Sequence, residues 1–156
     1  MHYTIISILA LILHFIINRR ALKKIRVQDA ADKKGLKEAL FYRHFLIVVT
    51  FYFITDIAWG FLYEHHEIPV LHPFVYSDAV FYFIFMFLTT LTWIRYVVAY
   101  LDKRNLRSKA LLYAVWTMFV LGILYLMINR FHPFIFSFSE DHEYIPESGR
   151  YIAFGL

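Results

Sequence analysis

The sequence predicts an all-α, multi-pass transmembrane helix bundle, with four complete spans and the start of a fifth. Three observations predict it. Of the 156 residues, 60% are hydrophobic and 21% aromatic, above the ~45–50% apolar content usual in soluble domains. The apolar residues gather into long runs close to, or beyond, the ~20 needed to cross a bilayer. Thirteen of the 16 Lys and Arg fall in two segments between those runs, 19–43 and 102–109, as the positive-inside rule describes. Five Gly and four Pro are too few to punctuate a fold of short strands. With no cysteine, the chain has no disulfide framework, thiolate metal site or cysteine nucleophile. The net charge of +4 belongs to the two basic loops, which lack the signatures of nucleic-acid binders. Lipid bilayer is the expected surrounding, and nucleic acid is not an expected partner.

The first span covers about 2–18 and ends in Asn18-Arg19-Arg20. Positive charge after the apolar run, with none before it, argues for an inserted helix rather than a cleaved signal peptide. His14 inside it is expected to bond a neighbouring helix or sit near the interface. Segment 19–43 holds nine Lys or Arg against three acids. Its helix formers, interrupted by Gly35, predict a solvated loop made of two helical extensions, with an amphipathic surface helix against anionic lipid as the alternative.

The second span, 45–62, carries an acid in its apolar run. A carboxylate at such a position is expensive and normally faces protein or water. Tyr52, Trp59, Gly60 and Tyr63 share the helical face of Asp56, while Ile47, Phe51, Ile54 and Phe61 form a plain hydrocarbon face. Residues 64–73, with two prolines and no Lys or Arg, predict a loop.

The third span, 74–101, has an inward stripe of Asp78, Tyr82, Phe85, Thr89, Thr92 and Tyr96. Thr89 and Thr92 are expected to hydrogen-bond across helices, Phe87 to lie on another face, and Arg95 to snorkel toward headgroups. The fourth span is 110–129. Segment 131–150 is acidic and aromatic, with a short extended piece at 134–138. Residues 151–156 turn apolar again, the expected start of a fifth span in the front part of a longer protein. Charge places the N-terminus, 64–73 and 131–150 outside, with the basic loops in the cytoplasm.

Candidate chemistry centres on Asp56. An outward pocket of Asp56, Trp59, Tyr52, Tyr82, Asp78 and Arg130 is expected, with Asp56 as anionic anchor and Arg130 bending back to pair with it. The rival expectation is a buried acid that fixes helix packing. Six of eight histidines (His2, His65, His66, His72, His132, His142) lie on the outer side with several acids. Their spacing matches no metal-ligand signature, so a wet acidic surface is expected and no metal site. There is no phosphate loop, nucleophile elbow or paired intramembrane carboxylates at helical spacing. No enzymatic activity and no cofactor are expected of this chain. A small transporter or permease subunit using Asp56 with Arg95 or Arg130 is the alternative, though it calls for internal repeats or broken helices.

Several strings carry a resemblance: Tyr42-Arg43, Phe51-Tyr52, Thr55-Asp56-Ile57-Ala58-Trp59-Gly60, Ser77 to Phe83, Trp93-Ile94-Arg95-Tyr96, and the tail from Asn129 to Ile152. From Tyr42 onward the chain resembles the N-terminal multi-helix sensory regions of Gram-positive bacterial GGDEF-type diguanylate cyclases and related sensor kinases. The resemblance implies a membrane input module in the cell membrane, reading an unidentified small-molecule or membrane cue for a cytoplasmic output domain, as a homodimer through the full-length protein. The sequence itself has no GGDEF string and no phosphoacceptor region, so that family's catalysis does not carry over.

Overall fold

The computed structural model describes residues 2–23, 33–65, 67–101, 106–139, 144–149 and 151. Four helices dominate: α1 (His2–Leu22), α2 (Lys33–Glu64), α3 (His72–Tyr100) and α4 (Leu106–Asn129). All four are long and apolar enough to cross a membrane. None has an interior proline. Pro69 opens a short 3₁₀ turn, Pro69–Leu71, and Pro73 lies in the first turn of α3, where a missing N–H costs nothing.

The helices outrun the apolar spans at the basic end. At 32 residues, α2 is about 48 Å long against ~30 Å of hydrocarbon. It therefore includes much of the segment expected to form helical extensions; residues 24–32 and 102–105 of the basic loops lie outside the described residues.

Consecutive helices run antiparallel, each packing chiefly on its neighbours in sequence: α1 on α2, α2 on α3, α3 on α4. The result is a row one helix thick. Side chains on its flanks, such as Ile16, Phe61, Tyr113 and Met127, are exposed, as suits lipid-facing hydrocarbon. Gly60 permits the α1–α2 crossing: a Cβ there would strike the Thr4 side chain. Gly122 does the same for α3 and α4, since its Cβ would lie 2.7 Å from the Phe87 ring. Phe87 therefore lies on a face of α3 other than the stripe, as expected, and that face packs on α4.

The best-buried core lies beyond the last helix. Two short strands, β1 (Phe136–Phe138) and β2 (Tyr144–Pro146), pair antiparallel with Ser137 opposite Ile145. The expected extended piece is β1, but the segment is no solvated loop. Ile135 and Phe136 are each only 1% exposed and join Ala79, Phe83 and Leu126 in one cluster. The Phe136 ring lies parallel to Phe83, centroids 5.8 Å apart.

Asn129, the last residue of α4, makes this fold-back possible. Its Oδ1 accepts from the backbone N–H of Phe134 (2.7 Å), Ile135 (2.7 Å) and Phe136 (3.3 Å), and its Nδ2 donates to the Phe136 carbonyl (2.9 Å). One amide thus satisfies a turn that would otherwise bury unpaired backbone. Among the described residues α4 gives way to this hairpin, and a fifth span is not supported; 152–156 lie outside the described residues.

The stripe on α3 does face α2. Phe85 stacks on Phe51, and Tyr96 lies against Tyr42. The threonines behave differently from expectation. Thr89 donates to Phe85 O, and Thr92 to Leu88 O and Thr89 O, all within their own helix. A helical threonine has its own i−4 carbonyl within reach, so no partner helix is needed.

Candidate functional site

Two polar layers cross the row, one near each end. The layer at the basic end is bonded around His14 and Asn18, although the buried Nε of Arg43, beside Tyr42, has no hydrogen-bond partner among the described residues. His14 is buried; its Nε2 donates to Leu46 O (3.1 Å) and approaches the Thr50 hydroxyl (3.2 Å), which itself donates to Leu46 O. Asn18 accepts from Tyr42. His14 therefore bonds a neighbouring helix, as expected. Arg95 lies over the Phe41 ring, 5.0 Å from its centroid.

The layer at the hairpin end is acidic and incompletely bonded. Asp56 on α2 accepts a hydrogen bond at Oδ2 from the Ser7 hydroxyl of α1. One turn deeper on α2, Tyr52 shares a hydrogen bond of 2.9 Å with Tyr82 of α3. Asp78 precedes Tyr82 by four residues, so the α2 and α3 faces repeat one another, acid above tyrosine. Asp78 is buried, 9% exposed, and its Oδ2 has no hydrogen-bond partner. The charged group that acts on it is Asp56.

Aromatic rings bridge this layer to the hairpin. Trp59 stacks on Tyr63 with centroids 5.4 Å apart and meets the edge of Tyr144 on β2 at 5.1 Å. The hairpin therefore caps the end of α2 as well as the gap between α3 and α4. Ser137 ties β1 to the strand exit by donating to Glu147 (2.8 Å).

Five of the six expected site residues (Asp56, Asp78, Tyr52, Tyr82, Trp59) occupy this end of α2 and α3. The sixth does not join them. Arg130 lies over the Tyr76 ring, 5.8 Å from its centroid, where a cation–π contact holds it. Leaving α4 beside the hairpin, it turns toward the face of α3 that carries Tyr76 rather than the face that carries Asp78. Tyr82 shares its hydroxyl with Tyr52, and the Trp59 ring lies against Tyr63 and Tyr144.

Ser7 and Tyr144 complete the site without having been expected there. The available signal for Ser7 is that Thr4, Ser7, His14 and Asn18, at offsets of three, seven and four, share one face of α1. Among the outer histidines, His66 and His142 lie outside the described residues, as do Glu140, Asp141 and Glu143. No group of three or more metal-ligating side chains gathers among the described residues.

The arrangement sets two carboxylates in a largely apolar environment with hydroxyls around them and, among the described residues, no arginine drawn in. Such a layer attracts positive charge and hydrogen-bond donors. The chain matches no family model, no curated protein and no solved structure, so the geometry and chemistry of this layer carry the functional reading.

Proposed function

We propose that this chain is the membrane-embedded input module of a bacterial signalling protein. It lies in the cell membrane with its N-terminus and hairpin outside and its basic end in the cytoplasm. A cue at the hairpin end biases how α1, α2 and α3 pack, and the basic end passes that bias to an output domain such as a diguanylate cyclase or kinase, within a homodimer of the full-length protein. The observation that carries the reading is the incompletely bonded acidic layer, shared by three helices beneath an ordered cap.

α2 supplies the physical link. Asp56 and Tyr42 are 14 residues apart on one unbroken helix, about 21 Å at 1.5 Å per residue. Tyr42 lies against Tyr96 and donates to Asn18, so the same rigid element touches both layers. A ligand that alters the contact of Asp56 with α1 or α3 shifts the balance between two packings by its differential affinity for them. A transporter would also use a buried acid, but it calls for helices broken at mid-membrane, and α2, α3 and α4 are continuous.

The test is a chimera with a reporter output domain. Asp56→Asn keeps size and hydrogen-bonding capacity. It should express and fold normally yet lose its response to the cue; a fully responsive variant refutes the reading.

A further inference from the structure

We propose that the Asp56–Asp78 pair is a binding site for one small monovalent cation, a sodium ion or the proton that competes with it. The inference names the ligand class of the input layer, and to that extent rests on the reading of that layer as the input site. Three observations carry it. The Asp78 Oδ2 is buried without a donor, and an uncompensated carboxylate in such surroundings is costly enough to demand a partner. The charged group that acts on it is another carboxylate, Asp56, so among the described residues nothing supplies that partner. Arg130 and Arg95 are both engaged with aromatic rings elsewhere.

The donor set selects the ion. Carboxylate oxygens and the Ser7 hydroxyl are hard ligands, suited to alkali or alkaline-earth cations rather than to transition metals. Calcium takes about 6–8 oxygen ligands, and no third carboxylate or imidazole joins the pair among the described residues. A bulky organic ammonium is disfavoured by close packing: Gly60 brings the α1 and α2 backbones together one turn above, and the Tyr52–Tyr82 hydrogen bond closes α2 on α3 one turn below.

The hydroxyl of Tyr76, two residues before Asp78, is likewise buried without a hydrogen-bond partner among the described residues. Glu64 and His72 stand about two turns from the pair at the outer ends of α2 and α3, with His65 just beyond. The remaining titratable groups nearby have partners of their own. On α1, His14 lies two turns deeper, bonded to Leu46 and Thr50. On α2 and α3, Tyr52 and Tyr82 bond each other and Tyr63 stacks on Trp59. Tyr76 meets Arg130, and in the hairpin Glu147 accepts from Ser137 while Tyr144 meets Trp59. The pair itself is where a cation exchanges.

The experiment measures thermal unfolding of the purified chain in lipid nanodiscs. Sodium chloride is titrated against choline chloride at constant ionic strength, at several pH values. A ligand bound only by the folded state raises the midpoint by mass action. The expected result is a saturable, sodium-specific rise that weakens as pH falls, with sodium affinity reduced at least tenfold in Asp78→Asn and Asp56→Asn. A rise that follows pH alone, insensitive to sodium and lost in both variants, supports the site with the proton as occupant. Sodium and pH responses that are the same in wild type and both variants overturn it. Should Asp78→Asn fail to fold, Ser7→Ala retains both carboxylates and should weaken sodium several-fold; an unchanged affinity there overturns sodium coordination at this site. The reporter chimera separates the two proposals. Cation binding without a reporter response leaves the site and removes the input role, and the reverse removes only the cation.

Discussion

Replacing Asn129 by Ala should release the hairpin while leaving the four helices in place. The side chain makes four hydrogen bonds to the backbone of Phe134, Ile135 and Phe136 and is itself 3% exposed. At about 0.5–1.5 kcal/mol net for each bond, the loss comes to about 2–6 kcal/mol. The free energy of opening the hairpin caps what can be lost, because an opened hairpin re-solvates its own backbone. Even the lower figure corresponds to about thirtyfold more frequent opening. Hydrogen exchange measured by mass spectrometry in nanodiscs reads this directly: amides in 134–139 and 144–149 should exchange at least that much faster, while those in the middle of α2 and α3 stay unchanged. Asn129→Asp is the informative companion. A carboxylate still accepts from the three N–H groups but cannot donate to Phe136 O, so it should fall between wild type and Ala when ionised. Unaltered exchange in 134–136 on substitution by Ala would show that the apolar cluster, rather than the amide, holds the fold-back.

Three further outcomes can be checked. Gly122→Ala should destabilise by about 1–3 kcal/mol through collision with the Phe87 ring, and Phe87→Leu in the same chain should recover part of it, as a double-mutant cycle in a reversible detergent unfolding assay will show. Thr92→Val should be neutral within about 0.5 kcal/mol, since the lost hydroxyl bonds only carbonyls of its own helix; a loss well above that would place an interhelical partner at Thr92. With no native cysteine, single cysteines at Ser139 and Ser108 report orientation: an impermeant thiol reagent should modify the first and not the second in intact cells.

How legible each part of the chain is depends on physical cost. A carboxylate in an apolar run is expensive, so Asp56 and Asp78 announced themselves, and their partners Tyr52 and Tyr82 came from a spacing of four. Ser7 did not. A single hydroxyl in an apolar helix can bond its own backbone, so its pairing with Asp56 leaves no mark on composition. Arg130 was assigned the wrong neighbour because sequence gives depth along a helix far better than direction around it. The fold-back was hidden for a different reason: a segment rich in charge and punctuated by Pro and Gly looks solvated. Its burial depends on one asparagine meeting backbone groups that carry no sequence identity.

The single-file arrangement of α1 to α4 has a consequence for what surrounds the protein. In a closed bundle, inner side chains are insulated from acyl chains by a second layer of protein. Here a side chain between two helices can have lipid on either side. Bilayer thickness therefore bears on the α1–α2 and α2–α3 contacts without an intervening layer of protein, and acyl-chain length is a variable to set alongside temperature in any stability measurement on this molecule.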